Sequence, residues 1–441
     1  AVVTLIYPFQ FYSSALVLEG WFLNSLPRIV LEGFDPSGIY LTDTTLRDGQ
    51  QGLGYFTVDE SLALYEVLVE LDGGLGVIRS VEVFLYTEKD RVVARRLLEY
   101  GYEYPRVTAW IRASRQDLSL VSEAGLEDAV VLTSISDYHI RYKLGLSRSE
   151  ALERYLEVVR EAYNRGISVK CALEDVTRAD PDFVKLFLEK LLELAERSGF
   201  EARVRLSDTL GLGLPFREAP LPRGIPRLVW MVRSLGFKPE NIGFHGHNDL
   251  GLVVANHLAA WASGAFESNC TLLGVGERAG NCPLELMLLH YAALRGVRVN
   301  LKAIWRAVEI LERAGYRVPE FYPLVGSNAF KTKAGIHVDG LLKNPQVYLP
   351  FDPMEVLGVP YGVEITPYSG RAAVVYWLAS RGVPVDRLDK DSDGVALAYK
   401  MIQDMFKDGR RKPLTDEEMA EIVRRAMPEI YEAYIKPKLK P

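Results

Sequence analysis

Residues 167–209 read ISVKCALEDVTRADPDFVKLFLEKLLELAERSGFEARVRLSDT, and they hold one complete structural repeat. ISVKCAL (167–173) is a short, largely apolar run with the look of a buried strand. An amphipathic helical pattern covers Pro181–Ser198, and ARVRLS (202–207) follows as a second strand. The unit is strand, helix, strand, and a connection of that length makes the two strands parallel.

The same alternation extends in both directions. Before it come GIYLTD (38–43), IRSVEVF (78–84), RVTAWI (106–111) and AVVLT (129–133), and after it NIGFH (241–245) and ESNCTLLG (267–274). Helical patterns such as Val58–Asp72, Ser147–Arg165, Leu250–Ser263 and Leu284–Gly296 separate them. Eight strands in regular alternation with helices predict an α/β fold, a closed TIM (β/α)8 barrel, over an open doubly wound sheet. The barrel is expected over residues 38–297, after an N-terminal arm (1–37) that packs on the body or on a partner subunit. A linker and mostly helical subdomain is expected over 298–441, with helices near 300–315, 370–382, 390–408 and 415–435.

Composition narrows the function classes. The chain is 48% hydrophobic and 25% charged, with a net charge of -6 and a single short basic run, KDGRRK (407–412). That argues against nucleic acid and against a membrane surface as partners. Three cysteines without a CxxC spacing fit a reducing, cytoplasmic compartment. Residues 1–18 are uncharged, yet no basic segment precedes them and polar residues interrupt them, so they do not read as a signal peptide.

In a barrel of this kind chemistry sits where the strands end. Strand one ends in TDTTLRDGQQ (42–51), strand five in Glu174-Asp175, and strand six in Ser207-Asp208-Thr209. Strand seven ends in FHGHND (244–249), and strand eight leads to GVGERAGN (274–281). His245 and His247 are two apart on a strand, so both imidazoles face the same way, as a metal-ligand pair would. The alternative is a hydrogen-bonded pair capped by Asn248 or Asp249. With Asp48 and Asn281 as further ligands the set is mixed nitrogen and oxygen, suited to Mn2+, Zn2+, Co2+ or Mg2+. Glu174 is the best-placed general base, its alternative being a partner to a helix start. Arg47 offers a planar fork for a carboxylate. His257 and His290 fall in helical patterns and read as packing residues, and Cys171 and Cys282 as small fillers.

TDTTLRDGQQ, HGHNDLGLVVAN (245–256), GVGERAGN and AGIHVDGLLKN (334–344) together resemble the acetyl-CoA-dependent 2-oxo-acid synthases. This is the 2-isopropylmalate and homocitrate synthase family of the DRE-TIM metallolyases, and the likeness spans about residues 38–370. The resemblance implies a divalent metal on Asp48, His245, His247 and Asn281, with acetyl-CoA as co-substrate. It implies that Arg47 contacts the keto acid, that Thr209 binds its carboxylate, and that Glu174 is a catalytic carboxylate. It implies catalytic roles for His337 and Tyr348, which follow the barrel, and hence a homodimer that exchanges its C-terminal segments.

Within that family the segments 73–91, 133–145 and 173–180 look closest to the Re-type citrate synthases, which use oxaloacetate. A second carboxylate needs a cationic or hydrogen-bonding partner, and Arg79, Arg112, Arg178 and His139 are the candidates. HNDLGLVVANHLAAWASGA (247–265) instead reads like the 2-isopropylmalate branch, which uses 2-oxoisovalerate, and homocitrate synthase is the third possibility. An acyl-CoA lyase on the same barrel would carry a Gly-Cys-Pro loop where this chain has GERAGN.

Overall fold

The computed structural model describes residue 26 and residues 28–438, so the expected arm (1–37) lies largely outside the described residues. Eight parallel strands close into a barrel: β1 (Tyr40–Asp43), β2 (Ile78–Val83), β3 (Arg106–Arg112), β4 (Asp128–Ser134), β5 (Ser168–Glu174), β6 (Arg203–Asp208), β7 (Ile242–Gly246) and β8 (Glu267–Cys270). Each pairs with its neighbours in sequence, and β1 closes the ring on β8. The expected barrel is therefore present.

Local chemistry explains the repeat. The helix Pro181–Ser198 starts at Asp180, whose side chain accepts from the Asp182 amide, and Pro181 fixes its first turn. It stops at Gly199, which takes a left-handed conformation. Capping boxes at Thr57, Thr87 and Ser147 start three other barrel helices in the same way. Strand eight is shorter than its sequence suggests. It ends at Cys270, because the chain turns over Leu272–Gly274 with Leu273 at positive φ.

The chain forms two compact units, one over residues 28–318 and another that includes 319–438. The second is built on the helices Gly335–Lys343, Gly370–Ser380, Asp393–Met405 and Asp416–Ala426. Val338, Ala373, Val374, Leu378, Ile402 and Val423 form its core. None of the described helices is long and apolar enough to cross a membrane.

The barrel interior holds charge. Strand alternation turns Lys170, Arg205, Glu82 and Glu267 inward, and all four are buried. Arg205 forms ion pairs with both Glu82 and Glu267, and Lys170 pairs with Glu267. Thr42 donates to Glu267 over 3.0 Å. Burial alone would raise both carboxyl groups, but the facing cations hold them below the usual carboxylate range. Burial pulls the Lys170 ammonium down.

Two acids thus balance two bases, and removing one partner strands the others. Arg205→Met should cost about 3–5 kcal/mol, the usual penalty for leaving buried charges unpaired. Arg165→Ala, which breaks an exposed pair with Glu161, should cost under about 1 kcal/mol. Denaturant melts of the two variants beside the parent measure the difference, and equal losses would contradict it.

Candidate active site

The residues picked out at the ends of β1, β7 and β8 come together. After β1 the chain enters a π-helical turn, Thr45–Gly49, with all five residues buried. Asp43 anchors that turn by accepting from the Thr45 amide (2.9 Å) and hydroxyl (2.7 Å). Burial, opposed by those hydrogen bonds, pushes the Asp43 carboxyl up to about 7. The turn places Asp48 Oδ2 3.4 Å from His245 Nε2, and Asn281 donates to the same oxygen over 3.0 Å. His245 and His247 face each other with their Nε2 atoms 3.2 Å apart. One ligand atom from each of Asp48, His245 and His247 lies within 4.8 Å of the others.

The proton inventory explains why such a set suits a cation. Asn269 sends its amide NH2 toward Thr42 Oγ1 (2.9 Å) and Glu82 Oε1 (3.3 Å), which fixes its carbonyl oxygen toward His245 Nδ1 at 2.8 Å. His245 Nδ1 therefore carries the hydrogen, and its Nε2 lone pair faces the cluster. Burial, with nearby Arg47 and Arg205, holds His245 well below the usual histidine range, and burial lowers His247 too. Asn281 Oδ1 is buried without a donor. Neutral imidazoles, a carboxylate and an unsatisfied carbonyl oxygen fit a divalent cation.

Arg47 closes one side. Its guanidinium pairs with Asp48, reaches Glu82 at 3.1 Å and lies over the Trp110 ring at 5.2 Å, leaving a buried Nε without an acceptor. Across the mouth, Glu174 ends β5. Lys143 lies 2.8 Å from both of its oxygens, Ser134 donates to one of them, and His139 Nδ1 stands 2.9 Å away. Burial would raise Glu174, but His139, Lys143 and Ser134 together bring it down to about 2. Thr209 Oγ1 accepts from the Asp175 amide at 2.8 Å and donates to the Ser207 carbonyl over 3.5 Å, a long bond that a ligand acceptor could replace.

The arginines read as candidates for a second carboxylate are placed elsewhere or already engaged. Arg79 is second in β2, so strand polarity puts it at the opposite end of the barrel, over the Tyr40 ring at 4.2 Å. That corrects its assignment to the site. Arg112 does end β3, but it forks onto Asp117 with two 2.9 Å contacts. Arg178 forks onto Asp175 and lies over the Tyr138 ring. His337 and Tyr348 belong to the second unit, where their rings lie 4.3 Å apart. Sequence reasoning missed Lys143 and Asn269. The spacing His139-x3-Lys143 and the inward parity of Asn269 with Glu267 were the available signals.

Residues 38–311 match the family model described as HMGL-like, and residues 324–405 match the homocitrate synthase post-HMGL domain-like model. The chain is 39% identical to the citrate (Re)-synthase of Clostridium kluyveri over 93% of each chain. The chain belongs to the HMGL-like family. It is also 34% identical to the 2-isopropylmalate synthase of Sulfurisphaera tokodaii over 72% of this chain and 79% of that one. Among solved structures, the HMG-CoA lyase of Bacillus subtilis superposes with a TM-score of 0.54 at 20% identity, over 65% of this chain and 97% of that one, which speaks for the fold alone. As an HMGL-like protein whose curated relatives are 2-oxo-acid synthases, the chain is an acetyl-CoA-dependent condensing enzyme of class EC 2.3.3, in a family that works with divalent metal ions.

Gly276 is the tightest point of the cluster, since a Cβ there would stand 1.8 Å from Asn281 Oδ1. Gly276→Ala should therefore push the amide aside and weaken divalent-metal binding about 10- to 100-fold, the scale on which misoriented ligands act. Competition against a chromophoric chelator measures this, with an unchanged melting curve showing that the barrel is intact.

Proposed function

We propose that the enzyme condenses acetyl-CoA with oxaloacetate and hydrolyses the resulting thioester to release citrate. The observation that carries the reaction type is the convergence of Asp48, His245, His247 and Asn281 beside the locked guanidinium of Arg47. The oxaloacetate reading is supported by the identity to the Clostridium kluyveri protein along nearly the whole of both chains.

In this reading those four residues hold Mn2+, Zn2+, Co2+ or Mg2+. A bound divalent ion supplies Lewis-acid polarisation of the 2-oxo carbonyl, worth several kcal/mol as charge develops on its oxygen. Arg47 offers its free Nε–H to the keto acid's carboxylate, and Thr209 turns its hydroxyl hydrogen from the 3.5 Å contact with the Ser207 carbonyl toward the same group. Glu174 stays ionised, so it serves as a fixed anion that orients His139 and faces the acetyl group. A carboxyl held near 2 is a weak acceptor of a carbon-bound proton. His337 and Tyr348 supply the acid–base pair, across a homodimer that exchanges C-terminal segments in the cytoplasm.

The second reading, 2-oxoisovalerate, is favoured by one observation. Among the four groups first considered for a distal carboxylate, Arg79 faces the other end of the barrel, and Arg112 and Arg178 are each forked onto an aspartate through Nε and Nη2. His139 remains, joined by Lys143. Measuring CoA-thiol release with oxaloacetate, 2-oxoisovalerate, 2-oxoglutarate and pyruvate, each with and without EDTA, separates the readings. EDTA-sensitive release with oxaloacetate is the expected result. Preference for 2-oxoisovalerate would move the enzyme to the 2-isopropylmalate branch, and no release with any acid would overturn the synthase reading.

A further inference from the structure

Four side-chain groups crowd the Glu174 carboxylate or its near surroundings. Lys143 Nζ approaches Oε1 and Oε2 equally, at 2.8 Å each. The Ser134 hydroxyl of β4 donates to Oε2. His139 Nδ1 is 2.9 Å from that oxygen but off the line of a hydrogen bond. Tyr155 donates to the Ser134 carbonyl over 2.9 Å, and behind it all Asp175 is neutralised by Arg178. His139 and Lys143 bound one five-residue π-helical turn, His139–Lys143, so a single short element meets the carboxylate twice.

We propose that Lys143 is a positioning residue for the reaction, clamping both oxygens of Glu174 and so fixing the orientation and charge of that carboxylate at the barrel mouth. The inference rests on the synthase reading above and assigns Lys143 a role there. The pair differs from an ordinary surface salt bridge because its two ends differ in exposure. The Lys143 side chain is 43% exposed, whereas that of Glu174 is 16% exposed. Without the ammonium, a mostly buried carboxylate would lose the one partner among the described residues that meets both of its oxygens. An ammonium has three donors, and two are spent on Glu174. The clamp thus sets the plane of the carboxylate, which a single contact would leave free to rotate.

The sign of the pH effect follows. Burial pushes Glu174 up and the cationic and hydroxyl neighbours bring it down to about 2. Deleting Lys143 removes one of the lowering influences, so Glu174 must take up its proton at higher pH than in the parent.

The test compares Lys143→Met and Lys143→Arg with the parent across pH 4–9, reading kcat and KM for the 2-oxo acid that the parent uses. Lys143→Met should lower kcat about 10- to 100-fold, keep KM within about threefold, and bring the acid limb of kcat/KM, which in the parent lies below pH 4, up into the measured range. Lys143→Arg, which keeps a charge and a fork of donors, should recover most of kcat and return the limb toward its parental position. A Lys143→Met profile superimposable on the parent, or an Arg variant as impaired as the Met variant, would overturn the proposal. A 13C titration of glutamate-labelled protein, with Glu174→Gln used to pick out the Glu174 carboxyl signal, gives a readout that needs no turnover. An upward move of that signal's midpoint in Lys143→Met is required even if every 2-oxo acid fails as substrate. Absence of turnover in the parent would therefore count against the synthase reading alone, and an unmoved midpoint against the clamp alone.

Discussion

The Glu82 carboxylate is the point on which barrel and site both depend. One of its oxygens takes Arg205 and, at 3.3 Å, the amide of Asn269. The other takes the Thr44 hydroxyl at 3.0 Å and Arg47 at 3.1 Å. Arg205 also balances Glu267, which in turn holds Lys170 and Thr42. A buried ion cluster is a weak source of net stability, because desolvation opposes the Coulomb gain. What it provides is geometry. Any shift of Glu82 is felt at Arg47 and Asp48 through one oxygen and at His245 through Asn269 and the other.

That coupling accounts for a site built on rigid elements. Asp48 and Arg47 sit in a buried turn anchored by Asp43, and His245 and His247 sit at the end of a strand. Asn281 is held by its antiparallel bridge to His247 and by the close approach of Gly276. Asp48, His245 and Asn281 are each held by a buried turn, a backbone bridge or a further hydrogen bond, so a cation bound among them would find them already placed.

The barrel and the convergence of Asp48, His245, His247 and Asn281 were legible in the sequence because their signals are short-range. Alternation of strand and helix shows within thirty to forty residues, and HGH declares its geometry by strand parity alone. The interior charges were not legible. Lys170, Arg205, Glu82 and Glu267 each resemble the polar position of a half-exposed strand, and only closure of the barrel turns that face inward. Arg79 failed for a related reason. It lies in the correct strand, but one at whose other end the chemistry sits, and the distinction needs the strand boundary to within a few residues. Arg112 and Arg178 were spoiled by partners five and three residues away, Asp117 and Asp175, in stretches where a free arginine and a paired one read alike.

What remains at the mouth for a substrate's second carboxylate follows from the same accounting of partners. An arginine forked onto a buried aspartate through Nε and Nη2 has its orientation set by that aspartate and keeps only its outer Nη hydrogens for a ligand. Arg112 and Arg178 are in that position, and Arg47 is committed to Asp48 and Glu82 except for its Nε. Arg278, at the rim, forks onto Asp249 and donates to the Thr209 carbonyl, so it serves to tie the loops after β6, β7 and β8 together. The turn His139–Lys143 is the exception. Its lysine is half-exposed, keeps one ammonium hydrogen uncommitted, and stands beside an imidazole that lies close to Glu174 without a true hydrogen bond. If the enzyme reads a dicarboxylate, this turn can meet it without disturbing an arginine fork. The element that clamps Glu174 is then also the one that meets the far end of the keto acid, and recognition of substrate and alignment of the carboxylate share a single backbone segment.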